Sequence, residues 1–194
     1  MKTGKQEFNM IINGIGGQGL ITLLKIISEA ALIEGKDIRT SELHGLSQRG
    51  GSVEVYIRFG KKIWSPLVEK GKADLILSLE MQEAINGLYF SSKDTVFLIN
   101  KYQTPTFLKD FSEKEVLDNV KKISQKVYLI SAEEVCRKEF GTDVVAGIYL
   151  LGYAVFKGFL LLKHNSLISA IKKIVPEKYL ELNEKALNLA KNQS

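Results

Sequence analysis

The sequence predicts a three-layer α/β domain: a mostly parallel or mixed central sheet with a Rossmann-like start and a helical C-terminal arm. Three observations carry that expectation. Short apolar runs alternate with segments of helical period through the first two-thirds of the chain. The first run, "FNMIING", feeds a glycine-rich turn, "GIGGQG", that opens a helix, and beyond Gly141 only helical patterns remain. At 194 residues the chain fits one domain spanning 1–194, with an α/β core over 1–141 and a helical arm over 142–194.

Each element has its own signal. "GLITLLKIISEAALIEG" places Leu20, Leu23, Leu24, Ile27 and Ala31 on one helical face, and Gly35 is positioned to end that helix. "KDIRTSE" is a second short strand. In "SVEVYIRFG", Val53, Val55, Ile57 and Phe59 face one way while Glu54, Tyr56 and Arg58 face the other; with "KKIWSPLV" it reads as a strand pair joined at Gly60 to Lys62. "ADLILSLE", "TVFLIN" and "KVYLIS" supply further strands, each followed by a helical segment, and their uninterrupted apolar character predicts a sheet covered on both faces. In the arm, a long apolar helix over Val144 to Leu162 precedes "SLISAIKKI", with Ser166 as its cap, and "PEKYLELNEKALNLAKN", with Pro176 in its first turn.

Composition narrows the function classes. Hydrophobic residues at 45% and charged residues at 25% are ordinary for a globular protein. A net charge of +5 with lysines scattered along the chain fits a solvated surface, or a preference for an acidic partner or anionic ligand, better than nucleic-acid binding. The single cysteine, Cys136, excludes an intrachain disulfide and a cluster held by several thiolates, and its helical setting reads as packing. "MKTGKQEF" runs straight into the first strand, so no secretory signal is expected and a reducing cytoplasm is the expected home. The 144–162 stretch approaches the length of a membrane span, but Lys157 interrupts it and Gly147, Gly152 and Gly158 suit close helix approach; a buried or interface helix is expected, not a membrane span.

Two polar, glycine-rich turns carry the chemistry. Gly14, Gly16 and Gly19, with Gly17 and Gln18 between them, satisfy the dinucleotide fingerprint, and Glu42 follows Gly19 by 23 residues, where a ribose-binding acid belongs. The same backbone device attracts any anion to the first N–H groups of a helix, or serves only as a tight strand-to-helix turn. The second turn, "TSELHGLSQRGGSVEV", packs Ser41, Glu42, His44, Ser47, Gln48, Arg49, Gly50 and Gly51 between two strands. Arg49 has the planar fork for a carboxylate or phosphate, and His44 is a second candidate polar group beside it. The bland alternative is a solvated loop fastened to the first glycine turn.

The stretches "GIGGQG", "TSELHGLSQRGGSV", "WSPLVEKGKADLILSLE" and "PEKYLELNEKAL" resemble the gamma-type domain of the 2-oxoacid:ferredoxin oxidoreductases, nearest to the small beta subunit of the indolepyruvate branch. The resemblance runs from Asn9 to about Leu189, and "SELHGLSQRGGSV" is its most specific piece. It implies a subunit that is inactive alone, within an enzyme that converts a 2-oxoacid and coenzyme A to an acyl-CoA and carbon dioxide while reducing ferredoxin. Thiamine diphosphate, magnesium and 4Fe-4S clusters would then belong to a larger partner subunit, because this chain lacks a "GDG" diphosphate motif and has one cysteine. On this reading Gly16 to Gly19 and His44 to Gly51 form one surface facing a composite active site, with Gln18, His44, Gln48 and Arg49 as its polar groups. The 144–162 helix is then either a partner-binding face or core packed on the chain's own sheet. Two other classes stay open on the residues alone: a stand-alone NAD(P)- or flavin-binding oxidoreductase, and a non-catalytic α/β binding module.

Overall fold

Strand β1 (Glu7–Ile15) runs through the middle of the molecule, and nearly all of it is buried because both sheet faces are covered. The computed structural model describes residues 7–45, 51–104 and 111–193. Among the described residues the sheet has six strands: β1, β2 (Asp37–His44), β3 (Ser52–Gly60), β4 (Leu75–Ser78), β5 (Val96–Asn100) and β6 (Val127–Ile130), in the order β2-β3-β1-β4-β5-β6. β1, β4, β5 and β6 are parallel, whereas β3 pairs antiparallel with both β1 and β2. The sheet is therefore mixed.

The alternation in β3 separates two cores. Val53, Val55, Ile57 and Phe59 pack with helix α1 (Leu20–Ile33) and the C-terminal helices, while Tyr56 packs on the other face beneath a 3-10 helix (Gln82–Phe90) and α2 (Glu113–Lys121). Helix α1 ends as its sequence directs: Gly35 N–H donates to the Leu32 carbonyl and Lys36 N–H to Ala31, the paired bonds of a Schellman stop. Helix α3 (Ala132–Phe140) carries the buried Cys136 against the α1 side of the sheet.

Four expectations need correction. "KKIWSPLV" is no strand: β3 already spends both edges on β1 and β2, so nothing remains for a hairpin partner, and residues 61–74 run as an ordered connection. The 144–162 stretch is not one long helix. Helix α4 (Ala146–Phe156) stops at Gly158 (φ 70), where Gly158 N–H bonds Val155 and Phe159 N–H bonds Ala154. Ser166 is not a cap either. It is buried within α5 (His164–Ile174), whose N-terminus is instead met by the Glu34 carboxylate, accepting the Lys163 N–H at 2.6 Å from the end of α1. Pro176 precedes a short 3-10 turn (Glu177–Tyr179) that leads into α6 (Leu180–Leu189).

Helix α4 is core, not a partner-binding face. Ile148 through Ala154 are all buried, and α6 lies so close that a Cβ on Gly152 would come within 2.3 Å of the Leu187 carbonyl oxygen. No helix among the described residues is long and apolar enough to cross a membrane.

Candidate functional site

The C-terminal end of β1 delivers the glycine turn, and each glycine there has a separate physical duty. At Gly14 a Cβ would lie 2.7 Å from Gln18 Oε1 and 3.3 Å from Leu79 Cβ, so the residue makes room for its neighbours. Gly17 (φ 107) and Gly19 (φ 81) hold the left-handed backbone that turns the chain from strand to helix, with Gly19 as the N-cap of α1. The first N–H groups of α1 have no carbonyl one turn back to receive them, and no acidic side chain lies in that turn. That end of the helix favours a negative charge.

The second turn meets the first. Gly16 N–H donates to the Gly51 carbonyl at 3.0 Å, and Gly45 N–H donates to Ser52 at 2.9 Å, joining the β2–β3 end to the glycine turn. A cleft of about 500 Å³ lies between them, lined by Gly16, Gly17, Thr22, His44 and Gly45. A second cleft of about 770 Å³ opens on the other side of the α1 N-terminus; Lys25, Asn100, Tyr102, Glu133 and Tyr179 are among its walls. Both clefts share Gly17, Gly19 and Thr22, so the start of α1 is the ridge between them.

The structure sorts the expected site residues. Glu42 and His44 pair with Val55 and Val53, so both side chains stand on the α1 face, where they contact each other at 3.2 Å in the open. Ser41 pairs with Tyr56 and points to the opposite face, away from the glycine turn. Gln18 is not a free polar group. Its Oε1 accepts the Ile15 N–H at 3.0 Å and its Nε2 donates to Glu80 Oε2 at 3.1 Å, which braces the turn from within. Ser47, Gln48, Arg49 and Gly50 lie outside the described residues. Glu42 is also one strand too far out for the nucleotide reading. In the dinucleotide fold the acidic residue ends a strand adjacent to the glycine strand, but β3 intervenes here, which moves Glu42 outward by about 5 Å.

Sequence reasoning missed a set of carboxylates at the same sheet end. Glu80 is 4% exposed, and accepts the Thr104 N–H at 3.0 Å, the Thr104 hydroxyl at 2.9 Å and the Gln18 amide. Burial pushes its carboxyl above the usual range in spite of those bonds. Glu133, in the first turn of α3, accepts from Asn100 Nδ2 at 2.7 Å while its Oε2 is buried without a partner among the described residues; burial raises its carboxyl too, and Asp143 and Glu80 add repulsion. Asn100 is itself fixed, donating to the Leu79 carbonyl and accepting the Ala132 N–H. The one available signal was a charge closing an apolar strand in "LILSLE". These groups shape the floor behind the turn. The turn itself ends at the N-terminus of α1, where main-chain N–H groups are directed outward.

The chain's residues do not suit an iron–sulfur cluster. Cys136 is buried, with burial pushing its thiol up to about 12, and no group of three or more metal-ligating side chains converges among the described residues.

Comparison with known proteins completes the description. The family model for pyruvate ferredoxin/flavodoxin oxidoreductase matches residues 9–193. The indolepyruvate oxidoreductase subunit IorB of Archaeoglobus fulgidus is 33% identical, the match covering 97% of this chain and 96% of that one. IorB of Thermococcus kodakarensis is 32% identical, over 95% of this chain and 94% of that one. Among solved structures, the gamma subunit of a keto/oxoacid ferredoxin oxidoreductase from Geobacter sulfurreducens superposes with a TM-score of 0.71 at 23% identity, covering 96% of this chain and 97% of the other; the likeness is one of fold.

Proposed function

The chain belongs to the pyruvate ferredoxin/flavodoxin oxidoreductase family, and on that premise we propose that it is the small subunit of an indolepyruvate- or arylpyruvate-type 2-oxoacid:ferredoxin oxidoreductase. It is a non-autonomous part of such an enzyme. The assembled complex would oxidatively decarboxylate the oxoacid, transfer the acyl group to the coenzyme A thiol and pass the electrons to ferredoxin. Thiamine diphosphate, magnesium and 4Fe-4S clusters would be housed on the larger subunit, which brings the reacting centre to this chain.

The observation that carries this reading is the end-to-end match to two IorB relatives, from one end of the fold to the other. The site geometry supports it. Two turns joined by the Gly16–Gly51 hydrogen bond bring the start of α1, His44 and an adjoining cleft to one surface, with no nucleophile–base pair there among the described residues. Such a surface is suited to hold an anion for chemistry performed elsewhere. On this account Gly14, Gly17 and Gly19 set the backbone, Gln18 braces it, and His44, Gln48 and Arg49 face the composite site. Arg49 neutralises the oxoacid carboxylate or a coenzyme A phosphate.

Substitution of Arg49 by Ala in the assembled enzyme tests that role. The expected result is a raised KM for the oxoacid or coenzyme A with assembly intact. Unchanged Michaelis constants for both would remove Arg49 from the site. Titration of the isolated chain with NAD(H), NADP(H) and FAD tests the alternative: saturable micromolar binding would support the nucleotide reading against the subunit reading.

A further inference from the structure

The connection between β3 and β4 has a feature that neither the core nor the glycine turn uses. Trp64 is 80% exposed and Leu67 64%, and Tyr89, at the end of the neighbouring 3-10 helix, is 62% exposed. Large apolar side chains displayed together at this level mark a surface that another molecule covers. We propose that this segment, residues 61–74 with Tyr89 beside it, docks the chain onto the larger subunit, Trp64 entering an apolar slot rimmed by carboxylates. The proposal rests on the subunit reading above.

The display is held rigidly. Ile63 and Val68, flanking the exposed pair, are 1% and 5% exposed. Ile63 N–H donates to Asp37 Oδ2 at 2.9 Å, and the Arg58 guanidinium donates to the Ser65 and Leu67 carbonyls at 2.9 and 3.0 Å. Gly71 N–H bonds the Tyr89 carbonyl, tying the connection to the 3-10 helix. An anchor fixed before contact loses little conformational freedom on binding, which is what a strong interface residue requires.

Charge selects the partner's chemistry. Between residues 61 and 72 stand four lysines and one glutamate. Lys62 Nζ lies 4.1 Å over the Trp64 ring and Lys70 Nζ 5.6 Å over Tyr89, so the apolar groups sit within a cationic collar. A complementary surface is apolar at its centre and acidic at its rim. The position is informative as well. Gly60 pairs with Glu7 at one end of β1, while the glycine turn follows Ile15 at the other, about 27 Å away for a nine-residue strand. The contact is an anchor remote from the chemistry.

Trp64 is the only tryptophan in the chain and so reports on its own environment. The chain is labelled with 5-fluorotryptophan and titrated with the unlabelled larger oxidoreductase subunit of the same organism, following the ¹⁹F resonance and its H₂O/D₂O shift. The expected result is a displaced resonance that loses its solvent isotope shift in the complex. Trp64→Ala should weaken assembly by about tenfold or more while leaving kcat of the saturated complex unchanged. A Lys62→Glu/Lys70→Glu variant should weaken assembly and flatten its salt dependence. A complex that forms with Trp64 still hydrated, and with Trp64→Ala binding within twofold of the parent, would overturn the docking surface and leave the subunit reading standing. A displaced resonance caused by raising the concentration of this chain alone would assign the surface to self-association and overturn the proposal. Failure of the parent chain to bind the larger subunit at all would remove both readings.

Discussion

Replacing Gln18 by Ala tests whether the glycine turn is braced from inside. The substitution removes the acceptor for the Ile15 N–H and the donor to Glu80 Oε2. A neutral hydrogen bond is worth about 1 kcal/mol and one to a charged group about 1.5–3 kcal/mol. Gln18 is half-buried, so water recovers part of the loss, leaving about 2–3 kcal/mol. In a domain of this size that lowers Tm by about 4–12 °C. Gln18→Glu separates the two bonds. It keeps an acceptor for Ile15 but sets a carboxylate against the buried Glu80. The folded state then raises both carboxyl pKa values above their unfolded ones, so stability is present in acid and is lost as pH rises through the raised values. Thermal melts followed by circular dichroism at pH 5 and pH 8 should therefore show Gln18→Ala destabilised at both, and Gln18→Glu close to the parent only at pH 5. A Gln18→Ala protein melting within about 1 °C of the parent at both pH values would refute the brace and return Gln18 to the ligand-facing set.

Three further outcomes follow from the packing and the buried groups. Gly152→Ala forces α4 and α6 apart, since its Cβ meets a backbone oxygen that has no rotamer to adopt; net of the helix propensity gained, it should cost about 2 kcal/mol, whereas Gly147→Ala meets only the Leu23 side chain and should be near neutral, both read from denaturant midpoints. Cys136, with its thiol pushed up to about 12, should resist iodoacetamide at pH 8 in the folded chain and react once guanidinium unfolds it. Glu80, Glu83 and Glu133 all have carboxyls raised by burial, so their contribution to stability is greatest below pH 4.5 and falls as pH rises; Glu133→Gln should raise Tm more at pH 7 than at pH 4.5, and an equal effect at both would show that the buried charge is not the cause.

What the sequence made legible was whatever local spacing decides. The alternation in Ser52–Gly60 separates the two cores residue by residue, and Gly35 stops α1 where its position directs. The misreadings come from partners far away in the chain. Lys163 is capped by Glu34, 129 residues earlier, so Ser166 looked like the obvious cap. Gln18 reaches Glu80 across 62 residues, and a polar side chain inside a glycine turn reads as a ligand group until that bond is drawn. β2 lies at the sheet edge because β3 inserts beside β1, an arrangement no periodicity encodes, and it moves Glu42 from the ribose position, whereas Ser41 faces away simply because strand alternation sets it opposite Glu42 and His44. "KKIWSPLV" mimics a strand because it is short and largely apolar after a turn, but its two buried residues, Ile63 and Val68, are five apart and would not share a strand face.

The central claim is that this chain completes a site on another polypeptide. Its most direct test is arylpyruvate- and coenzyme A-dependent ferredoxin reduction, measured for this chain alone, for the larger subunit alone and for the two combined. The account predicts turnover only in the combined sample. Turnover by the 194-residue chain alone, or by the larger subunit at the rate of the pair, would contradict it.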